Sequence, residues 1–334
     1  MIFTRKRKRR EGIMTENNMD RAIREIDEAE SIAIFCHVNP DGDTLGSALA
    51  LYNGLRMYGK LPYIFCSDEP SEKLSAELPD VVHLNENTDI RADLAIAVDA
   101  ATRDMLGDSI AIFDRARRHL VIDHHITNTK YGDVNVIDSN ASATAEIMFE
   151  ILEKIHCIDD NIARSLYLAI VTDSGAFSFD SVTSHTHYVA SKLIDYDFSA
   201  SDIIYNLIKK KRKAVFTLTH RVLSKAKFFD DDKIAVVTFR AEDFEATNTN
   251  IKSTEGIINN LINIDTVMVA ISISETNKSS YKLSIRTKAP IDAAAIASFF
   301  GGGGHVRAAG LRIDGFYEDV LDTIVRHATI ELGD

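Results

Sequence analysis

The run His119-Leu120-Val121-Ile122-Asp123-His124-His125 passes without a break from an apolar strand into a carboxylate and two imidazoles. Core packing does not ask for that ending. In an open α/β sheet the carboxyl end of a strand is where side chains converge on a ligand while the strand stays buried, and adjacent Asp and His there suit a metal ion. A His pair on its own reads as readily as two satisfied imidazoles in a polar loop. Three further apolar runs end the same way, however. Ser31 to Phe35 leads into Cys36-His37-Val38-Asn39-Pro40-Asp41-Gly42-Asp43, Leu94 to Val98 leads into Asp99, and Leu166 to Val171 leads into Thr172-Asp173-Ser174-Gly175. Asp favours caps and turns, which accounts for one or two such endings. It does not account for four, two of which also supply His.

Outward from these runs, strand and helix patterns alternate. Met19 to Glu30 carries a short apolar stripe, Ala22, Ile23 and Ile26, that predicts an opening amphipathic helix. A second helix is expected from Thr44 to Tyr58, with Gly46 allowing close approach of a neighbour, and a third from Ser142 to Ile155. Strands are expected at 61–65 and 94–98. Ile126 to Asn140 reads as a polar loop, and Asn161 to Val171 as a buried helix or strand. The class is therefore α/β, with an N-terminal, largely parallel sheet covered by helices on both faces. Asp195 to Phe229 reads as a helical connector whose run Lys209-Lys210-Lys211-Arg212-Lys213 is a solvated face. A smaller C-terminal α/β domain follows, with strands near 234–239, 266–273 and 281–286 and a helix from Glu318 to Leu332.

In that second domain a helix of small and apolar residues, Ala293 to Phe300, runs into Gly301-Gly302-Gly303-Gly304-His305 and then Ala308-Ala309-Gly310. Consecutive glycines expose backbone N–H groups to an anion. A flexible loop is the plainer reading, but a run flanked by two apolar elements and closed by His favours a phosphate or nucleotide cradle. Arg286 leaves its strand with a fork suited to phosphate. His185 and His187 read as surface residues.

The 334 residues suffice for two domains with their own cores. With 38 Lys plus Arg against 50 Asp plus Glu, the net charge of −12 argues against a surface that coats long nucleic acid. Short anionic substrates remain open, because metal ions neutralise phosphate locally. Three scattered cysteines, Cys36, Cys66 and Cys157, without CxxC spacing, suggest reduced thiols and a cytoplasmic location. No run approaches the roughly 18 uninterrupted apolar residues of a membrane span, so no membrane partner is expected; a homodimer is compatible with the sequence. Arg5 to Arg10 holds six basic residues. Residues 1–13 read as a disordered basic arm or as a misassigned start upstream of Met14.

The strings HVNPDGDTLGS, VDA, IDHH and TDSG, followed far downstream by GGGGHVRAAG, resemble the DHH phosphoesterase family with its DHH-associated C-terminal domain. Within it, the chain is most similar to the bacterial oligoribonuclease and pAp phosphatase (NrnA-like) group. The resemblance implies a DHH phosphoesterase domain over 14–195, a connector over 196–230 and a substrate-binding domain over 231–334. It also implies two divalent metal ions, with manganese first in line. His37, Asp41 and Asp99 would hold one, and Asp43, Asp99, His124 and Asp173 the other. His125 would contact the scissile phosphate and Asp123 would orient an imidazole. Arg286, Gly302, Gly303, Gly304 and His305 would bind the rest of the substrate across an interdomain cleft. Relatives often carry Arg in the loop after Asp99; here Met105 stands there, with Arg103 two residues earlier, and no role is assigned to it.

These implications favour hydrolysis of short RNA to mononucleotides and of pAp to AMP. A phosphodiesterase for linear or cyclic dinucleotides such as pApA or c-di-AMP would use the same chemistry. The GGGGH string argues against a family II pyrophosphatase. A nucleotide sensor without turnover would not need the full set of acidic and imidazole groups.

Overall fold

The computed structural model describes residues 16–78 and 90–333; the basic segment 5–10 and Met14 lie outside them. The fold divides after Lys210 into two units.

In the first unit, α1 (Glu16–Glu28) precedes β1 (Ser31–Phe35), α2 (Gly42–Met57), β2 (Leu61–Phe65), the short α3 (Glu72–Glu77) and β3 (Leu94–Val98). A 3₁₀ segment and α4 (Ile110–Phe113) lead to β4 (Arg118–Asp123) and β5 (Val134–Ile137), followed by α5 (Thr144–Lys154), α6 (Asp160–Asp173), α7 (Ser184–Leu193) and α8 (Ala200–Ile204). The sheet order is β2-β1-β3-β4-β5, and every pairing is parallel. Parallel strands need crossover helices on the faces and so are buried on both sides. Accordingly, Ile32 and Ile34 of β1 enter a core with α1, α2, α5 and α6. Ala33 and Phe35 face the opposite side with Phe65, Ala95, Ala97 and Phe113. The chain leaves β1 for β2 on one side and returns to β3 on the other, which makes the β1/β3 boundary the point where strand order reverses and ligands bind in such sheets.

The apolar run before Asp173, which the sequence leaves open as helix or strand, is helix α6; every residue from Ser165 to Val171 is buried, so no polar face marks its period. The loop 126–140 contains β5, a short edge strand in which Val134 and Val136 alternate inward. Helices α2 and α6 pack closely, and a Cβ at Gly46 would come to 2.6 Å from the Ser165 carbonyl oxygen. The stretch 196–230 is shared between the units: α8 and a π-helical turn, Tyr205–Lys209, end the first, and α9 (Lys213–Leu223) begins the second.

The second unit continues with β6 (Lys227–Phe229), β7 (Ile234–Phe239), α10 (Ala241–Thr247), α11 (Asn259–Ile262), β8 (Val269–Asn277), β9 (Ser280–Thr287), α12 (Ala293–Phe299), β10 (Gly303–His305), β11 (Ala308–Asp314) and α13 (Tyr317–Leu332). Its six-stranded mixed sheet runs β10-β11-β9-β8-β7-β6, with only β7 and β8 parallel. Ile271, Ile285 and Leu311 pack with α12 and α13 on one face, while Ala235, Val237 and Ala270 meet α9 and α11 on the other. The glycine-rich run is not a free loop. It enters β10, pairing Gly304 with Ala309 and His305 with Ala308. A Cβ at Gly302 would lie 2.4 Å from the Gly310 carbonyl oxygen, and Gly304 combines a φ of 149° with 2.5 Å to the Ala308 carbonyl oxygen. Those two glycines let the hairpin close.

Candidate active site

At the carboxyl edge of the first sheet, β1, β3 and β4 deliver His37, Asp99 and the Asp123-His124-His125 triplet side by side. The turn after β1 carries Asp41 to the start of α2, where its Oδ1 accepts from the Asp43 and Thr44 amides as the helix cap. Asp43 lies in the first turn of α2 and is fully buried. Asp173 is the last residue of α6. Its helix brings it to the site because α6 lies along α2.

These side chains fall into overlapping groups. His37 Nε2 lies 3.5 Å from Asp41 Oδ1 and 3.6 Å from Asp99 Oδ2. His124 Nε2 lies 3.3 Å from Asp173 Oδ2, 3.6 Å from Asp99 Oδ1 and 4.0 Å from Asp43 Oδ2. Asp99 therefore stands at the centre, one oxygen toward each imidazole. Its φ of 59° is a left-handed conformation rare for a residue with a Cβ, and its amide is tied to the Ile122 carbonyl at 2.9 Å. Backbone strain at such a position is maintained by its surroundings.

The donor set fits divalent cations. Both imidazoles can give their Nδ1 proton to a carbonyl, His37 to Val38 at 2.7 Å and His124 to Ala141 at 3.1 Å. In that tautomer each turns an Nε2 lone pair toward carboxylate oxygens. Lone pairs facing anions at 3.3 to 4.0 Å repel unless a positive charge lies between them, and imidazole and carboxylate ligands at roughly 2.0 to 2.2 Å from a cation are separated on this scale. The sets His37/Asp41/Asp99 and Asp43/His124/Asp173 each converge closely enough to hold a divalent metal ion.

The electrostatics express the same crowding. Burial, reinforced by Asp99, Asp173 and Asp41, pushes the Asp43 carboxyl well up. Burial likewise raises Asp99 and carries Asp173 to about 6. Burial works against a charged His37, yet Asp41 and Asp99 outweigh it and hold its pKa at about 11. His125 differs in that its Nδ1 is 2.7 Å from Asp123 Oδ1, and this bond lifts it to about 9. Asp123 is itself fixed by Asn128, whose amide donates to Oδ2 at 2.6 Å.

In the second unit, Arg286, Ala308 and His305 are cross-strand neighbours on β9, β11 and β10, so their side chains share one face of the sheet. Arg286 Nη1 donates to the Ile285 carbonyl at 3.1 Å. Gly303 has open space where a Cβ would be. His305 is exposed.

Residues 31–170 match the DHH family, N-terminal domain, and residues 231–332 match the DHHA1 domain. The chain thus carries a DHH N-terminal domain and a DHHA1 domain. It is 28% identical over 307 residues, 89% of this chain and 90% of its relative, to the bifunctional oligoribonuclease and PAP phosphatase NrnA of Thermus thermophilus. It is also 28% identical over 301 residues, 87% and 92% of the two chains, to the protein of the same name from Bacillus subtilis. Among solved structures, an exopolyphosphatase-related protein from Bacteroides fragilis superposes with a TM-score of 0.85 at 22% identity, covering 95% of this chain and 96% of that one.

The DHH domain also places side chains at the site that the sequence did not single out. Ser47 Oγ donates to Asp43 Oδ1 at 3.0 Å. Thr144 Oγ1 donates to Asp99 Oδ1 at 2.9 Å, and the Thr144 and Ala145 amides donate to the two Asp43 oxygens at 2.6 and 3.1 Å. Thr44 Oγ1 donates to the Val98 carbonyl at 3.0 Å. In the loop after Asp99, Arg103 pairs with Asp114, and Met105 contributes its carbonyl to the Val38 amide at 2.7 Å. His185 sits on the surface of α7 against Glu150.

Proposed function

We propose that this protein is a cytoplasmic phosphoesterase that uses two divalent metal ions, manganese foremost, to hydrolyse short oligoribonucleotides to mononucleotides and pAp to AMP. One observation carries the reading: a single buried carboxylate, Asp99, presents one oxygen to His37 and the other to His124, each at 3.6 Å. A carboxylate shared between two imidazole–carboxylate groups suits a bridging role. His37, Asp41 and Asp99 would then hold one ion, and Asp43, Asp99, His124 and Asp173 the other. Four carboxylates balance two divalent charges. When bound, such a pair supplies charge to the phosphoryl oxygens and acidifies water.

The remaining steps fall to the chain's own groups. Asp123 holds His125 by its Nδ1 and favours the imidazolium, leaving Nε2–H to contact the scissile phosphate and protonate the leaving oxygen. Asn128 keeps Asp123 from turning away. Arg286, Gly303, Gly304 and His305 of the second unit would bind a phosphate of the substrate; Gly302 shapes the turn instead, its amide donating to the Ala297 carbonyl at 2.9 Å. The names of the Thermus and Bacillus relatives point to short RNA and pAp as substrates.

Product analysis with Mn²⁺ on pAp, RNA dimers to pentamers, pApA, c-di-AMP and pyrophosphate, with Asp99→Ala as control, tests this. AMP from pAp and mononucleotides from short RNA, both abolished in the variant, are expected. Cleavage confined to pApA or c-di-AMP would reassign the substrate, and nucleotide binding without turnover would remove the enzymatic reading.

A further inference from the structure

We infer that Glu146 is a positioning residue for the metal centre. It acts through the turn Ser142-Ala143-Thr144 and touches none of the six side chains that would hold metal. The inference rests on the two-metal reading above.

Glu146 lies in the first turn of α5 and is 1% exposed. Its Oε1 accepts from the Ser142 amide at 2.9 Å and from Ser142 Oγ at 2.7 Å, while its buried Oε2 has no hydrogen-bond partner. Burying a carboxylate with one oxygen unsatisfied is costly, so such a group is a poor stability device. Its effect lies in the shape it enforces. The N-cap position of α5 is Ala143, which has no side-chain oxygen to bond the first amides of the helix. Those amides, of Thr144 and Ala145, instead donate to Asp43 from 101 and 102 residues away. Asp43 thus caps α5 and is aimed by it.

The same turn reaches two more of the six residues. Immediately before it, the Ala141 carbonyl faces His124 Nδ1 at 3.1 Å, which fixes the tautomer that leaves Nε2 free. Immediately after the cap, Thr144 Oγ1 donates to the central Asp99 at 2.9 Å. Residues 141–145 therefore orient His124, Asp43 and Asp99 together. The only side chain bonded to the middle of this turn, among the described residues, is Glu146 through Ser142. Groups that orient ligands in this way typically change metal affinity about 10- to 100-fold when removed.

The test compares Glu146→Ala, Glu146→Gln and Ser142→Ala with the unaltered protein after chelator treatment. Mn²⁺ affinity is read by chelator competition, and the His124 tautomer by ¹⁵N NMR. Gln keeps the acceptor that Ser142 uses and replaces only the unpartnered oxygen, so Glu146→Gln is expected within about threefold of the unaltered protein. Glu146→Ala is expected to bind Mn²⁺ about 10- to 100-fold more weakly and to show mixed His124 tautomers. Ser142→Ala, which keeps the backbone bond, should fall between them and serves if Glu146→Ala does not fold. Unchanged affinity and tautomer in both Glu146→Ala and Ser142→Ala would overturn the inference. Equal losses in Glu146→Gln and Glu146→Ala would do so too, because they would assign the effect to charge. Failure of the unaltered protein to bind Mn²⁺ would instead sink the two-metal reading.

Discussion

Replacing Asp173 by Asn should make the metal-free protein more stable while removing its capacity for turnover. In the folded chain, burial pushes the Asp173 carboxyl from 3.8 up to about 6; His124 opposes that rise, and Asp99 and Asp41 add to it. A carboxylate with a raised folded pKa destabilises the fold once it is ionised, and this rise corresponds to about 3 kcal/mol at neutral pH. Solvent reaches 31% of the side chain, so a working value is about 1 to 3 kcal/mol. In a domain of this size that is a thermal shift of roughly 2 to 10 °C. Between pH 6 and 4 the folded state holds a proton that the unfolded state has lost. The unaltered protein therefore gains stability as pH falls through that window, and its deficit relative to the amide variant closes near pH 4. The assay is thermal unfolding in chelator followed by far-UV circular dichroism, since the chain has no Trp. An Asp173→Asn protein no more stable than its parent at pH 7.5, or with an advantage that persists at pH 4, would refute the account of the site as a cluster of crowded carboxylates.

Other outcomes follow from single contacts. Thr144→Val removes the hydroxyl bonded to Asp99 but keeps the amide that caps Asp43; kcat/KM on pAp should fall about 10- to 100-fold with little change in thermal midpoint. Gly46→Ala forces a Cβ against the Ser165 carbonyl oxygen, 2.6 Å away, and should cost about 1 to 3 kcal/mol by urea unfolding. Gly304→Ala meets both a φ of 149° and the Ala308 carbonyl oxygen. It should raise KM for pAp at least about tenfold, equivalent to about 1.4 kcal/mol of binding, and leave Mn²⁺ affinity unchanged by chelator competition.

Much of the fold was legible because parallel strands buried on both faces are short, continuous apolar runs: β1, β2 and β3 occupy the stretches that pattern alone marked. The convergence of His37, Asp99 and His124 was legible for a related reason, since each follows directly on such a run and parallel strands bring those ends to one edge. What was hidden lay where local pattern carries no signal. The α6 run is buried all round, so helix and strand look alike. The β10 strand is made of residues with no preference for strands and exists because β11 pairs with it. Thr144, Ser47 and Glu146 read as ordinary helix residues: the Ser47 and Glu146 side chains bond to Asp43 and Ser142, each four residues away, Thr144 bonds to Asp99 from 45 residues away, and nothing in the local pattern marks the groups they serve. Gly46 shows the converse case, a small residue whose reason was visible in sequence as a close helix approach and is met by α6.

Calorimetric titration of the chelator-treated chain with Mn²⁺, run in parallel with pAp hydrolysis, tests the central claim most directly. Two equivalents should bind, activity should rise with filling of the second, and Asp99→Ala should lose both. Undiminished hydrolysis by the chelator-treated protein, or full activity with Asp99 replaced, would contradict it.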